Sequence, residues 1–315
     1  MNRFQANLCL LTTTMCWAPE VVLMKRFPAG VPALAVITLS TALGAAILLL
    51  VLFAHVRVRP TRGFLCWAAL LGLLTAVQST LAVLGSRQLP VSTSMFLLSL
   101  YVVGVPVVMV IIRPFRRWRG QPLEPAPAPR TWAGVALIMV GLALAVQLGS
   151  GSAQLVPIAI LLVSVAVLSL YLVGVNNASR RYYPAQMIVY VLGFASVFAL
   201  GGWLLVDPGS LPAVDLSADF VAVLAMYSIF VIALASGVAF FAYPYVTPTN
   251  VAAVYSLQVV FAIGLAAVLP SLLVQRLRLT AGIVAGCLLV VVGVLVAEVD
   301  LLGMLRRRVG RGVPE

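Results

Sequence analysis

The sequence carries little charge. Only 9% of its 315 residues are Asp, Glu, Lys or Arg, and it has a single histidine. About 25% of a soluble globular protein is charged, so this scarcity excludes a cytosolic enzyme and a disordered chain. In place of charge stand hydrophobic residues, which make up 63% of the chain and give a mean hydropathy of +1.14. The composition predicts an all-α integral membrane protein.

Cysteine is also scarce, and its placement excludes a disulfide-stapled domain. The four cysteines lie in apolar stretches, without a CxxC pair or a Cys/His cluster: Cys9, Cys16, Cys66 and Cys287. Buried thiols of this kind act as small hydrophobes, so we predict neither a disulfide nor a metal site. The chain also lacks a phosphate-cradling GxxxxGKS/T segment. We therefore expect no cofactor, no intrinsic ATPase and no enzymatic activity.

Long hydrophobic runs occupy most of the chain. A helix that crosses a membrane needs about 20 residues, and lipid leaves the backbone polar groups no partners outside a helix. The runs are too long and too continuous for the strands of a barrel. We predict ten transmembrane helices, at about 5–26, 31–54, 64–86, 91–113, 131–149, 155–176, 185–205, 219–243, 249–272 and 279–298.

The basic residues are distributed unevenly between the connections. With the N-terminus inside, most of them face the cytoplasm: Arg3, Arg57, Arg59, Arg62, Arg113, Arg116, Arg117, Arg119, Arg130, Arg180, Arg181, Arg306, Arg307, Arg308 and Arg311. The outside retains Lys25, Arg26, Arg87, Arg276 and Arg278. Cytoplasmic loops carry the excess of Lys and Arg, so both termini are predicted inside. The net charge of +12 then reflects topology and contact with anionic lipids, not nucleic acid.

Two segments of the first half of the chain recur in the second half. Ser99-Leu-Tyr-Val-Val103 in helix 4 matches Ser256-Leu-Gln-Val-Val260 in helix 9, and a Gly-x6-Gly segment at 134–141 in helix 5 matches one at 286–293 in helix 10. With five spans in each half, the second half enters the membrane from the opposite side. We therefore predict an inverted repeat of two five-helix halves, with a binding site near the midplane between them.

The repeat divides the chain into three parts. Residues 1–150 form the first half, which includes a proline-rich cytoplasmic linker at about 114–130. Residues 151–300 form the second half, and residues 301–315 form a basic cytoplasmic tail. Proline-rich linkers adopt an extended conformation, so we expect this linker to separate helices 4 and 5 without secondary structure.

These features resemble the drug/metabolite transporter superfamily, specifically its ten-helix EamA-type members. The segment from Trp17 to Lys25 resembles the family's first-helix Trp-Gly…Lys pattern, with Ala18 in place of the glycine, and the two Gly-x6-Gly segments resemble the ends of the EamA repeats. The resemblance covers about residues 5–298. It implies the ten-helix inverted fold and the export of a small organic metabolite, and it makes Lys25 a candidate gate at the outer mouth.

Glu20 is the one carboxylate predicted well inside a span. A charge at a helix centre costs about 2.5–3.5 kcal/mol on insertion scales, and the neighbouring Pro19 removes a backbone donor and favours a kink. Two interpretations stay open. Glu20 either binds a cationic substrate or exchanges a proton during transport, or it lies at the outer interface, paired with Lys25 or Arg26.

Aromatic and amide side chains supply the other candidates for the substrate pathway. Trp17 lies too deep in the first helix for an interfacial position. Aligning helices 4 and 9 through the repeat places Tyr101 opposite Gln258, and Tyr255 shares a face with Gln258 because the two are three residues apart. Buried polar groups need partners, so we expect these side chains to line a solvated pathway. Two further candidates complete the set: Gln78 and Tyr227.

Polar side chains at the helix ends have ordinary explanations as well. A lysine at the end of a transmembrane helix commonly extends to the interface, which is the alternative to a gate for Lys25. Asn176 and Asn177 stand at the predicted cytoplasmic end of helix 6. We interpret them as a helix cap.

The sequence therefore favours a secondary transporter in a bacterial-type inner membrane, which exports an amino-acid-like, drug-like or amphipathic cationic metabolite by alternating access. Its expected partners are the small-molecule substrate, protons if transport is coupled, and anionic lipids; nucleic acid is not expected, and a homodimer stays open. Two alternatives also stay open. A flippase for a lipid-linked substrate would have a lateral gap between helices, and a non-transporting accessory subunit would lack a continuous cavity between the halves.

Overall fold

A computed structural model describes residues 1–28, 30–53, 56, 59–118, 127–146, 155–210, 217–268 and 280–298 of the chain. Within these ranges the chain forms helices and no strand. Several of the helices are long and apolar enough to cross a membrane. The prediction of an all-α, multi-pass membrane protein is therefore confirmed at this level.

Ten helical units follow one another along the described chain, some of them with an interruption. In chain order they are α1 (Arg3–Trp17 and Glu20–Arg26), α2 (Ala33–Val51), α3 (Arg62–Gln88), α4 (Val91–Ser99 and Tyr101–Trp118), α5 (Pro129–Val146), α6 (Leu155–Ser179), α7 (Pro184–Val206), α8 (Ala218–Tyr245), α9 (Pro248–Tyr255 and Leu257–Val268) and α10 (Ala281–Glu298). Each unit coincides with one of the ten predicted apolar stretches.

Eight of these units, all except α5 and α10, are long and apolar enough to span a membrane. The apolar parts of α5 and α10 are shorter, at Pro129–Ala145 and Ala281–Ala297. A helix rises 1.5 Å per residue, so these two need their flanking residues to cross a hydrocarbon layer. Their crossing stays a prediction.

The polar connection between α4 and α5 is shorter than predicted. The linker was expected at about 114–130, but α4 continues to Trp118 and α5 begins at Pro129. The arginines that end α4 are good helix formers, and a proline at the first helical position loses no hydrogen bond. The rest of the linker, residues 119–126, and the predicted tail, residues 301–315, lie outside the described residues.

Hydroxyl side chains define where three of the helices begin. The side chain of Thr61 accepts a hydrogen bond from the third residue into α3, and Ser217 and Thr247 do the same for α8 and α9. An N-cap of this kind satisfies one of the backbone N–H groups that a helix start leaves without a partner. These polar residues therefore end the connections and set the register of the helices that follow.

The two Gly-x6-Gly segments pack directly against each other. A β carbon added to Gly141 would lie 2.7 Å from the carbonyl oxygen of Gly286, and one added to Gly134 would lie 2.7 Å from that of Gly293. Small residues allow two backbones to approach this closely. Because the first glycine of each segment faces the second glycine of the other, α5 and α10 run antiparallel.

The other helices interleave the units that precede residue 150 with the units that follow it. α3 packs against α6 and α7, while α2 packs against α7 and α8. α1 packs against α8 and α9, and α4 packs against α6 and α9. The centre of the molecule is therefore bounded by helices from both halves of the chain.

Candidate functional site

A cavity of about 100 Å³ lies at the centre of the bundle. Side chains of α1, α3, α4, α6, α7, α8 and α9 line it. Most of the lining is apolar or aromatic, with a small number of polar groups, which is the usual composition of a small-molecule site. The cavity lies where helices from the two halves of the chain meet, so each half supplies part of its wall.

All seven residues proposed for the substrate pathway line this cavity: Trp17, Glu20, Gln78, Tyr101, Tyr227, Tyr255 and Gln258. They come from α1, α3, α4, α8 and α9, which are distant in sequence. Their location is thus a finding, whereas their contact with a substrate stays a prediction. Lys25, the candidate gate, lies away from the cavity near one end of the bundle.

α1 is interrupted at Ala18 and Pro19, directly before Glu20. Proline has no backbone N–H to continue the helical ladder, and the N–H of Ala18 closes a tight turn onto the carbonyl oxygen of Met15 at 3.2 Å. The helix is thus interrupted at the position where Pro19 predicts a kink. Because Trp17 ends the first segment, its carbonyl oxygen is one of the acceptors that a helix end leaves free.

The amide of Gln258, from α9, bridges this interruption. Its Nε2 donates to the carbonyl oxygen of Trp17 at 2.9 Å and to Oε2 of Glu20 at 3.1 Å. A primary amide has two N–H donors, so one side chain can satisfy both acceptors. Gln258 therefore fixes the Glu20 carboxyl at the cavity wall and stabilises the break in α1.

Glu20 forms no ion pair with any residue that the structure describes. Lys25, five residues further on, donates from Nζ to the carbonyl oxygen of Leu89 instead. The structure thus does not pair Glu20 with Lys25. Glu20 is only partly buried, and it lines the cavity.

α8 contains a π-helical segment, Tyr227–Ala235, beside the cavity. Such segments change the register of the backbone hydrogen bonds and recur at functional sites. Two carbonyl oxygens of the segment accept hydrogen bonds from α1. Trp17 Nε1 donates to Val231 at 2.9 Å, and Thr13 Oγ1 donates to Ala235 at 3.2 Å. The segment therefore holds α1 against α8 through polar contacts on the apolar face of each helix.

A row of aromatic side chains leads from the cavity towards one end of the bundle. The rings of Trp17 and Tyr255 meet edge to face, with centroids 4.7 Å apart and planes at 70°. The hydroxyls of Tyr255 and Tyr243 lie 3.0 Å apart. Edge-to-face contacts and a paired phenol are both favourable for buried rings. The three side chains connect the cavity wall to the turn between α8 and α9.

Asn176 makes buried hydrogen bonds at that end of the bundle. Its Nδ2 donates to the carbonyl oxygens of Tyr243 at 2.8 Å and of Val246 at 2.9 Å, and Arg180 donates to Val246 at 2.9 Å. The interpretation of Asn176 as a helix cap is wrong, because α6 continues to Ser179 and the Asn176 side chain is fully buried. It ties α6 to the turn between α8 and α9.

Further polar groups in the cavity wall differ in how well they are satisfied. Gln78 accepts a hydrogen bond from Ser79 through Oε1 at 3.1 Å, and its carbonyl oxygen accepts one from Ser164 at 2.9 Å. The buried hydroxyl of Tyr101 has no hydrogen-bond partner among the described residues. An unsatisfied buried hydroxyl costs about 1–3 kcal/mol, so Tyr101 is available to a ligand in the cavity.

The positions that the predicted repeat equates line the same cavity. The repeat aligns Leu98 with Tyr255 and Tyr101 with Gln258, and all four side chains line the wall. These residues belong to α4 and α9, which also pack against each other. The residues that the alignment pairs therefore contribute to the same cavity wall, two from α4 and two from α9.

No group of three or more His, Cys, Asp and Glu residues comes together within the described ranges. In the described part of the chain, the cavity wall offers one carboxyl, two side-chain amides, several hydroxyls and aromatic rings. These groups bind ligands through charge, hydrogen bonds and ring contacts. The arrangement can hold a small polar or cationic molecule against an aromatic wall.

The sequence analysis missed two residues of this region and the contact made by a third: Tyr171, which lines the cavity from α6, Tyr243, whose hydroxyl lies next to that of Tyr255, and Asn176, which bonds to the α8–α9 turn. Each stands in or beside an apolar run, where an interfacial or capping role explains it equally well. The Tyr-Pro-Tyr segment at 243–245 was the available signal, since proline there marks a turn that other helices can contact.

No family model matches the chain, and no curated protein matches it. Among solved structures, 28 chains are similar to it. One is a crystal structure of a protein that shares 17% sequence identity, with a TM-score of 0.71 over 98% of this chain and 99% of that chain. At this identity the likeness shows a common fold, and the coverage shows that it extends over nearly the full length of both chains.

Proposed function

We propose that the protein is a secondary transporter that exports a small organic metabolite across the cytoplasmic membrane by alternating access. The observation that carries the proposal is the meeting of Glu20 and Gln258 in a central cavity. These residues belong to opposite halves of the chain. A ligand that binds at this contact touches residues of both halves. Its contacts therefore change when the halves move relative to each other.

The proposed architecture is an inverted repeat of two five-helix halves. The reciprocal packing of α5 and α10 supports it, because two equivalent helices related by a twofold axis in the membrane plane run antiparallel and meet at equivalent glycines. Two interruptions support it further. α4 breaks at Leu100 and α9 breaks at Ser256, which lie within one residue of each other in the repeat alignment.

The proposed orientation places both termini in the cytoplasm, as the positive-inside rule favours. The end closed by Asn176 and Arg180 is then the cytoplasmic end, and the end with Lys25 is the outer one. Opening of the cytoplasmic end requires the hydrogen bonds from Asn176 to the α8–α9 turn to break. Opening of the outer end requires Lys25 to release Leu89. We propose Lys25 as a gate on this basis.

The chemistry of the cavity favours zwitterionic, weakly cationic or amphipathic cargo. Glu20 supplies a negative charge when ionised, and the faces of aromatic rings such as Trp17 and Tyr255 attract cations. We propose that Glu20 binds either a cationic group of the substrate or a proton, but not both. Substrate and proton then exchange at one carboxyl, so that a proton enters for each cation that leaves.

A toxicity screen tests the proposal across several classes of substrate at once. Cells with and without the gene are grown on a panel of toxic amino-acid analogues and amphipathic cations. The expected result is a raised inhibitory concentration for at least one class when the gene is expressed, and lower accumulation of that compound in the cells. No difference for any compound would contradict the proposal.

A matched pair of variants links the result to the cavity. Ala82→Phe fills a position of the cavity wall that is 1% exposed, whereas Leu70→Phe enlarges a side chain on the same helix that is 49% exposed. We expect Ala82→Phe to abolish resistance and Leu70→Phe to retain it. Gel filtration of both purified variants confirms that they fold. Equal resistance in the two variants would place transport elsewhere.

A further inference from the structure

Two turns at one end of the bundle are joined crosswise by cations. Lys25, in the last turn of α1, donates to the carbonyl oxygen of Leu89 in the α3–α4 turn. Arg87, in the last turn of α3, donates from Nη1 to the carbonyl oxygen of Val31 in the α1–α2 turn at 2.7 Å. We term these four residues the basic clasp. Lys25 thus connects α1 to the turn between α3 and α4, and Arg87 connects α3 to the turn between α1 and α2.

The guanidinium of Arg87 retains two buried donors without a partner. Nε and Nη2 are both buried, and neither makes a hydrogen bond within the part of the chain that the structure describes. Because Nη1 is occupied by Val31, Nε and Nη2 form the free edge of the group. This edge carries two parallel N–H bonds, which fit both oxygens of a carboxylate or phosphate. Buried polar groups are normally paired, and an oxyanion beside this edge would satisfy both donors.

Acidic side chains at this end of the molecule do not fill that edge. Asp219 lies at the same end, because the neighbouring Phe220 packs its ring against Phe27 with centroids 5.9 Å apart. Asp219 and Asp207 are both exposed. Among the described residues neither forms an ion pair with Arg87. No carboxylate of the described residues therefore pairs with Arg87.

Two hydroxyls in the same helical hairpin are also buried without a partner. Ser86 precedes Arg87 at the end of α3, and Ser94 lies at the beginning of α4. Both side chains are fully buried, and neither makes a hydrogen bond to the described residues. A hydroxyl can donate to an oxyanion. The hairpin thus concentrates unused donors around one turn.

We propose that the basic clasp binds an oxyanion, a carboxylate or phosphate group carried by a small solute or by a lipid headgroup, with the Nε/Nη2 edge of Arg87 as its principal ligand. Lys25 adds a second positive charge on the opposing turn. Binding here does not require transport, so the inference goes beyond the proposed function and is tested separately from it.

The clasp lies close to the cavity along two helices. Arg87 follows Ala82 by five residues on α3, and Lys25 follows Glu20 by five residues on α1; both Ala82 and Glu20 line the cavity. At 1.5 Å per residue, each cation lies about 7.5 Å beyond the cavity wall along its helix. The clasp therefore lies between the cavity and this end of the bundle along both helices.

Thermal unfolding of the full chain in dodecyl maltoside tests the proposal, because this detergent carries no oxyanion. The probe is sodium acetate, compared with sodium chloride at equal ionic strength and with acetamide, which has the same shape without the charge. We expect acetate to raise the Tm in a saturable way, by about 2 °C at ten times its Kd. Chloride and acetamide leave the Tm unchanged. A rise of the Tm that is equal with acetate and with chloride overturns the proposal.

Matched variants assign the effect to the guanidinium edge. Arg87→Lys keeps the positive charge but loses the two parallel donors, so we expect acetate to bind at least about tenfold more weakly. Arg26→Gln removes an exposed cation of the same end and should retain acetate binding. The comparison of acetate with chloride on the unmodified protein stands even if Arg87→Lys fails to fold. Unchanged acetate binding in a folded Arg87→Lys protein overturns the proposal.

A second arm distinguishes the two sources of the oxyanion. Phosphatidylglycerol is added to the same micelles in place of acetate. A rise of the Tm that depends on Arg87 and occurs only with phosphatidylglycerol identifies a lipid headgroup as the occupant, whereas a rise with acetate identifies a solute. If neither compound acts through Arg87, the clasp has a purely structural role and the inference is wrong.

Discussion

The amide nitrogen of Gln258 lies 3.1 Å from the Glu20 carboxyl, although the two residues are separated by most of the chain. The contact joins α1 to α9 at the wall of the cavity. Its donor is uncharged, so the Glu20 carboxyl is held by a hydrogen bond and not by an ion pair. A hydrogen bond to a charged group contributes about 1.5–3 kcal/mol. Movement of α9 relative to α1 would therefore change how strongly the carboxyl binds a proton or a cation.

Replacement of Glu20 by Gln removes the only carboxyl that the described residues bring to the cavity wall and keeps the size of the side chain. We expect the variant to lose transport driven by a pH gradient, because its side chain no longer exchanges a proton. The measurement is accumulation in proteoliposomes, with and without an imposed pH gradient, of a substrate found by the toxicity screen. Gradient-driven accumulation at the unmodified rate would show that Glu20 is not the coupling site.

Replacement of Gln258 by Leu deprives two acceptors, Glu20 Oε2 and the carbonyl oxygen of Trp17, of their donor. Both acceptors are partly buried, and a buried acceptor left unsatisfied costs about 1–3 kcal/mol, so we expect the Tm to fall. Gln88→Leu is the control, because the exposed Gln88 makes only a local bond to Leu84. Equal Tm values for the two variants would show that the bridge contributes no stability.

Loss of the Tyr243 hydroxyl weakens the end that we propose to be cytoplasmic. Tyr243→Phe removes the partner of Tyr255, and a buried hydrogen bond contributes about 0.5–1.5 kcal/mol. We expect a Tm lower by about 2–4 °C. The control is Tyr245→Phe on the same turn, where the side chain is 47% exposed and no change is expected. An undisturbed Tm for Tyr243→Phe would mean that the two hydroxyls do not stabilise the closed end.

Replacement of Gly141 by Ala tests the contact between α5 and α10. The added methyl group would lie 2.7 Å from backbone atoms of Gly286 and Val290, so the helices must separate, and overpacking of this kind costs about 1–3 kcal/mol. Gly193→Ala is a matched control, because nothing lies within 4 Å of its added methyl group. We expect only Gly141→Ala to lower the Tm. A lower Tm for Gly193→Ala alone would contradict the packing argument.

The proposed orientation is tested by labelling single cysteines in intact cells. In a chain whose four cysteines are replaced by Ser, Asp207→Cys and Arg59→Cys each introduce a thiol at an exposed position. With both termini inside, a membrane-impermeant maleimide should label Asp207→Cys at once and Arg59→Cys only after permeabilisation. The reverse order would invert the topology and exchange the inner and outer gates.

Much of the candidate site could be predicted because its residues are exceptional in a membrane-spanning context. Glu20 stands out as a carboxyl in an apolar run, and the repeat directed attention to Tyr101, Tyr255 and Gln258. Burial of a polar side chain in lipid is unfavourable, so these residues have to face protein or a cavity. The role of Asn176 was not predicted in this way, because its position near a predicted helix end is equally consistent with a helix cap. In the structure its side chain instead makes a contact between helices.

The class of the protein, the position of each apolar helix and the choice of unusual polar residues were determined by the sequence alone. These properties are local, because about 20 consecutive apolar residues or one misplaced charge can be recognised without neighbours. Only the tertiary structure decided that Gln258 bridges the break in α1, that α8 turns π-helical beside the cavity and that Lys25 and Arg87 cross between two turns. Each of these contacts depends on which helices lie side by side, and apolar helices of similar composition leave that pairing to close packing and to single hydrogen bonds.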